Sequence, residues 1–277
     1  MPSRCRPLLG TFVEVTADRE DAIEAAFSAV ERAHRLMSAH EPDSDVSRIN
    51  RFAHIRPVEV HDWTARVIER ALLWSKRSEG AFDVVRAGKA ALERGLLPRH
   101  AGQPSPHASH WTWLEIQGAS VRLLGPGCID LGGIAKGFAV DRAVDVLGKA
   151  GCERGLVNAG GDLRGFGREP WPVTIIDPLS RRHMVAIDLE NEALATSAGL
   201  PGGDGQLSFD HLGGGNPLWV SVSIVARTAC DADALTKIVW ARAANAAAEL
   251  AEADARALAL TPAGGVETIG EDAEAAA

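Results

Sequence analysis

The stretch Ile129-Asp-Leu-Gly-Gly-Ile-Ala-Lys-Gly-Phe-Ala-Val-Asp141 decides how this chain is read. A short apolar run meets two glycines and then a helix-forming segment. Backbone N–H groups and a helix N-terminus are thereby aimed at one spot, which suits a phosphate or a phosphate-bound metal. The segment is not a Walker A loop, because Lys136 precedes its glycine and no Ser or Thr follows the lysine. It does not match G-x-G-x-x-G either. Glycine pairs of this kind also make plain strand–helix turns, and taken alone the stretch reads more readily as one.

Two further turns carry the same chemistry. Val157-Asn-Ala-Gly-Gly-Asp162 again runs an apolar strand into glycines and a carboxylate, and by itself reads equally as a hairpin turn. Ala232-Asp-Ala-Leu-Thr-Lys237 stands at a helix start. There Asp233 also reads as a first-turn carboxylate complementing the helix dipole and paired with Lys237 one turn on. Together, aspartates beside strand ends and glycine-rich backbone are what a hard cation and a diphosphate require. Mg²⁺ takes oxygen ligands and keeps several waters and substrate phosphates. No Ser-His-Asp or Cys-His order is evident, which leaves the nucleophile to the substrate.

Outward from these turns, periodicity predicts strands at 11–15, 113–117, 121–124, 129–131, 156–158, 173–176, 185–189 and 219–225, with short ones near Leu258 and Val266. Helices are expected at 20–38, 62–77, 135–149 and, as an alanine-rich pair, across 231–253. Polar loops fall at 41–45 and 98–111. Strands and helices without strict alternation imply an α+β fold. The expectation is one domain over 1–270 followed by an acidic, disordered tail at 271–277.

Composition bounds the partners. The net charge of −8 argues against a nucleic-acid binder, which would show a basic face. It also means that an anion site has to be built locally. None of Cys5, Cys128, Cys152 and Cys230 forms a C-x-x-C pair, so a zinc site or redox dithiol has little support. The N-terminus lacks the apolar stretch of about 7–15 residues that a signal peptide needs. No apolar run approaches the ~20 residues of a membrane span. A cytoplasmic protein without membrane insertion is the expectation.

The chain also resembles the ApbE-like family of FAD:protein FMN transferases. The resemblance rests on Leu9-Gly-Thr-Phe-Val-Glu-Val15, Met37-Ser-Ala-His-Glu-Pro-Asp-Ser-Asp-Val-Ser-Arg-Ile-Asn50, Gly80-Ala-Phe-Asp83, the two glycine turns, Ala195-Thr-Ser197 and Ala232-Asp-Ala-Leu235, in family order. It implies a mixed α/β, two-lobed fold with FAD in the cleft between the lobes. It implies FAD contacts from Leu9, His40, Ala81, Phe82, Asp83 and Asp130, to which the glycine turns add Lys136, Asn158, Gly160, Gly161 and Asp162. Mg²⁺ is implied at the backbone of Gly133 and the carboxylate of Asp233, with His211 as the candidate general base. The implied reaction moves FMN from FAD to a Ser or Thr hydroxyl of an acceptor flavoprotein subunit, releasing AMP. A non-catalytic FAD-binding protein and a Mg²⁺-dependent FAD pyrophosphatase are the alternatives. Family members are often exported and lipid-anchored.

Three departures from the family pattern stand out. His40 occupies a position where an aromatic often stacks on flavin. The loop after His211 reads Leu-Gly-Gly-Gly-Asn-Pro217 and is shorter than the family's. Lys237 replaces a hydroxyl residue four positions after Asp233. A fixed ammonium ~5 Å from Mg²⁺ would cost roughly 6–7 kcal/mol at an effective dielectric near 20. The expectation is therefore that Lys237 leans aside on its long stem, with Thr236 or a water supplying the oxygen.

Overall fold

The computed structural model describes residues 1–100, 103, 105–107, 110–178, 180–201, 207–208 and 218–270. It contains two compact units, one of Met1–Val30 with Lys136–Ala277 and one of Glu31–Ala135. The strands are β1 Ser3–Leu8, β2 Thr11–Ala17, β3 Val58–Glu59, β4 Leu114–Gln117, β5 Ser120–Leu123, β6 Gly155–Ala159, β7 Asp162–Phe166, β8 Trp171–Ile176, β9 His183–Leu189, β10 Ala193–Ala198, β11 Leu200–Pro201, β12 Leu207–Ser208, β13 Ser221–Ala226, β14 Arg256–Leu260 and β15 Val266–Ile269. The helices are α1 Glu20–Met37, α2 Asp45–Phe52, α3 Asp62–Arg77, α4 Val84–Glu93, α5 Ala135–Lys149, α6 Ala229–Arg242 and α7 Ala247–Glu252. The fold is α+β, as the sequence predicts.

The first unit is built on an antiparallel sheet in the order β1-β2-β6-β7-β10-β13-β14-β15. Strand β13 is buried along its whole length. Helix α6 packs on it and on β10 and β7. Val225 points the opposite way from Val222 and Ile224, because side chains alternate along a strand. It joins an apolar cluster with Leu163, Leu194 and the β8–β9 residues Ile175 and Leu189. Burial on both faces leaves room in β13 only for apolar residues and for small ones such as Ser221 and Ser223, the latter hydrogen-bonded to Thr196.

The second unit holds α2, α3, α4 and the small antiparallel sheet β3-β5-β4. The strand expected at 129–131 is not one: those residues join no sheet. The Asn50 side chain replaces a strand partner. Its Oδ1 accepts the Ile129 N–H at 2.8 Å, and its Nδ2 donates to the Ile129 carbonyl at 3.1 Å. Helix α4 lies so close that a Cβ on Gly88 would come within 2.6 Å of the Cys128 carbonyl oxygen. A side-chain amide and a helix have taken the place of a ladder.

Among the described residues, no helix is long and apolar enough to cross a membrane. None of the four cysteines is in a disulfide.

Candidate functional site

The two glycine turns resolve differently. At 157–162 the chain makes a two-residue hairpin: Ala159 pairs with Asp162, and Gly160 and Gly161 form the turn at φ of 63° and 100°. Both angles favour glycine, and the Gly161 N–H is held by Asn158 Oδ1 at 3.0 Å. A Cβ on Gly160 would lie 2.3 Å from Thr11 Oγ1. The neighbouring β1–β2 hairpin places Leu9 at φ 56°, a left-handed conformation that costs a leucine about 1–2 kcal/mol. The register of β2 on β6 sets both turns at one end of the sheet.

Ahead of α5, Asp130 Oδ1 accepts the Gly132 N–H at 2.9 Å and shapes the turn that carries Gly133. The Asp130 N–H bonds the Val84 carbonyl. Asp83 caps α4: its carboxylate accepts the N–H groups of Val85 at 2.9 Å, Arg86 at 3.0 Å and Trp111 at 2.9 Å. Phe82 is buried, Ala81 half-buried and His40 exposed. Asp83 is thus a scaffold carboxylate whose oxygens serve backbone N–H groups.

The chemistry-bearing cluster lies in the first unit. Lys136, in the first turn of α5, forms an ion pair with Asp162, the first residue of β7. Lys237 forms an ion pair with Asp233 one turn away on α6. Both carboxylates are almost wholly buried, while the two lysine side chains remain 28% and 26% exposed. The lysine side chains therefore keep a solvent exposure that the carboxylates lack.

Two features of the opening motif position this cluster. A Cβ on Gly137 would lie 2.1 Å from the Ala229 carbonyl oxygen, so only glycine lets α5 approach the start of α6 this closely. The Gly137 N–H donates to Asp233 Oδ2 at 3.3 Å. Asp141 then clamps the start of α6, accepting the N–H groups of Ala229 at 3.0 Å and Cys230 at 2.9 Å while pairing with Arg164. The helix is capped by Thr228, whose side chain accepts the Asp231 N–H. Asp233 therefore sits in the second turn, beyond the first-turn place expected of a dipole-complementing residue.

The electrostatics follow from this packing. Burial foremost, and the Asp233 charge next, push the Asp162 carboxyl up to about 6 against the pull of Lys136. Burial acts in the same direction on Asp233, but Lys237 and Lys136 outweigh it and hold that carboxyl below its ordinary value. Burial would lower Lys136, and Asp162 and Asp233 reverse this to leave its pKa raised.

A pH prediction comes from the pair. The folded protein keeps the Asp162 proton to about pH 6, whereas the ordinary carboxyl value is 3.8. Folded protein then binds more protons than unfolded chain, so this group's contribution to stability falls as pH climbs through that window. Asp233 runs the other way: its contribution is present above its unfolded value and is lost as pH falls through the lowered folded value. Carbon-13 NMR of the carboxyls should show the Asp162 titration moving to lower pH in Asp233→Asn, because a neighbouring negative charge is gone. An unmoved titration would contradict the coupling.

The Mg²⁺ implied by the resemblance does not fit these donors as they stand. Lys237 does not lean aside: its Nζ lies on Asp233 Oδ1 and within 3.1 Å of the Asp233 carbonyl oxygen. The Thr236 hydroxyl, expected as a metal ligand, is fully buried. It donates to the Asp233 carbonyl at 2.7 Å and lies 2.7 Å from Ser197 Oγ. The long stem that was expected to carry the ammonium away instead curls it back, because a buried carboxylate one turn earlier is the strongest local attraction. Among the described residues, no group of three or more His, Cys, Asp or Glu side chains is placed to hold a metal ion. His211 and the loop after it lie outside the described residues, as does the tail at 271–277.

Sequence reasoning reached Lys136, Asp162 and Asp233 but not the positioning roles of Gly137 and Asp141. Their partners on α6 lie 88 or more positions along the chain, so no local spacing signals them.

Comparison with known proteins agrees with this arrangement of motifs. A family model described as the ApbE family matches residues 9–260. The FAD:protein FMN transferase of Haemophilus influenzae is 27% identical over 273 residues, covering 86% of this chain and 77% of that protein. The FAD:protein FMN transferase of Treponema pallidum is 28% identical, covering 64% of this chain and 58% of that protein. The crystal structure of the ApbE protein from Thermotoga maritima superposes with a TM-score of 0.83 at 25% identity, over 97% of this chain and 96% of that one. The flavin transferase ApbE from Vibrio cholerae shares the fold, with a TM-score of 0.81 at 23% identity over 98% and 97% of the two chains. With its motifs lying inside a match that spans most of its length, this chain belongs to the ApbE family.

Proposed function

We propose that this chain is an FAD:protein FMN transferase, moving FMN from FAD to a Ser or Thr hydroxyl of an acceptor flavoprotein. The observation that carries the reading is the family match over residues 9–260, which contains the glycine turns and both lysine–aspartate pairs. In the reaction, the acceptor oxygen forms a bond to the FMN phosphorus while the bridging P–O bond breaks. AMP leaves with the bonding electron pair, and the hydroxyl proton passes to a base, for which His211 is the candidate.

Phosphoryl-type transfer relies mainly on positioning and charge neutralisation. The part-exposed side chains of Lys136 and Lys237 supply positive charge toward a diphosphate. The buried carboxylates of Asp162 and Asp233 hold their ammonium groups in place. Mg²⁺ is the metal the family resemblance implies; bound to a diphosphate it would supply Lewis-acid charge.

Product analysis tests the reaction class. With FAD and a flavoprotein subunit, AMP should appear in step with loss of the acceptor's free hydroxyl. Without an acceptor, AMP should stay at background. Free FMN and AMP in equal amounts without an acceptor would mean that water is the nucleophile and the protein is a pyrophosphatase. FAD bound unchanged in both cases would mean a binding protein.

A further inference from the structure

We propose that Lys237 stands in for a divalent cation at Asp233, so that this chain engages the ligand's diphosphate with two ammonium groups and no metal at that carboxylate. The inference rests on the flavin-transfer reading for its ligand, but its geometry is independent of it. A cation at Asp233 would draw on the carboxylate, the backbone carbonyl and the hydroxyl of Thr236. Lys237 Nζ already bridges Oδ1 and the carbonyl oxygen. The other carboxylate oxygen accepts the Gly137 N–H. The Thr236 hydroxyl donates to that same carbonyl and lies in hydrogen-bond contact with Ser197. The place of the cation is filled by a side chain fixed to the same helix.

Charge leads to the same conclusion. Asp162 and Asp233 bring two carboxylates, and Lys136 and Lys237 bring two ammonium groups, each paired with one of them. The cluster is balanced before any ion enters. A divalent cation beside Asp233 would have to displace Lys237 or accept its repulsion. The lysine side chains are the part-exposed members of the cluster, so an incoming diphosphate meets them before the buried carboxylates.

Two titrations decide it, on wild type, Lys237→Thr and Asp233→Asn, each checked for folding by circular dichroism. In the first, FAD affinity is measured in EDTA and in millimolar Mg²⁺. Wild type should differ by less than about twofold between the two conditions. Lys237→Thr should lose on the order of tenfold in EDTA and recover affinity with Mg²⁺. In the second, Mn²⁺ is titrated without FAD and followed by its paramagnetic resonance signal. Wild type should show no saturable site that depends on Asp233, and Lys237→Thr should gain one. A wild-type Mn²⁺ site that vanishes in Asp233→Asn would overturn the proposal. So would FAD affinity in EDTA that is unchanged in Lys237→Thr. Should the variant fail to fold, the wild-type Mg²⁺ and Mn²⁺ comparisons still decide. Absence of FAD binding in every protein would sink the transferase reading, while the Mn²⁺ titration would still test Lys237.

Discussion

Gly137→Ala is expected to lower the melting temperature by about 6–12 °C, from an overpacking cost of about 3 kcal/mol in a chain of this size. The added Cβ would lie 2.1 Å from the Ala229 carbonyl oxygen and 2.8 Å from the Cys230 nitrogen. Both are backbone atoms at the start of α6, so no side chain can rotate away. Helix α6 has to shift, and Asp233 shifts with it. Ligand binding should fall together with stability for that reason. Gly148→Ala in the same helix is the control. Nothing lies within 4 Å of its added Cβ, and alanine should stabilise the helix by about 0.5–1 kcal/mol. Equal melting temperatures for the two variants would show that the close approach of α5 to α6 is not a constraint.

Asp233→Asn is expected to reduce flavin transfer on the order of a hundredfold. The asparagine keeps an oxygen for the Gly137 N–H but can no longer hold the Lys237 ammonium by charge. The lysine then moves, and the charge that it presents to the diphosphate moves with it. Removing one partner of a buried ion pair also costs about 3–5 kcal/mol of stability. The discount for the part-exposed lysine brings this toward the lower end. Transfer assays well below the variant's own melting temperature separate the two effects. Wild-type turnover there would remove Asp233 from the site.

Much of this molecule was legible in the sequence where local rules decide. Helices 62–77 and 135–149 fall where apolar spacing puts them. The glycine pair at 160–161 makes the turn that its residues favour. Other elements were not legible. Strand β10 reads Ala-Leu-Ala-Thr-Ser-Ala, with little β-branched content and a weak alternation, and is set by its partners β7 and β13. Strand β1 carries two arginines and a proline, and owes its place to pairing with β2. Helix α4 is short and carries Gly88 in its middle, a residue that weakens a helical reading. The apolar run at 129–131 carries a strand's composition without a strand's partner.

The site divides along the same line. The Asp233–Lys237 pair was legible from its i,i+4 spacing, whereas the pairing of Lys136 with Asp162 joins residues on separate elements. Lys237 does not lean aside from Asp233, because an i,i+4 pair with a buried carboxylate is the ordinary outcome on a helix. Asp141 and Gly137 act across 88 and 96 positions, a distance at which only the folded chain reveals a contact.

The most direct test of flavin transfer by this chain is the intact mass of a purified acceptor flavoprotein subunit after incubation with FAD and the enzyme. The acceptor should gain one FMN less one water, and the gain should disappear when its Ser or Thr is replaced by Ala. An acceptor whose mass does not change, under conditions in which FAD binds this protein, would contradict flavin transfer.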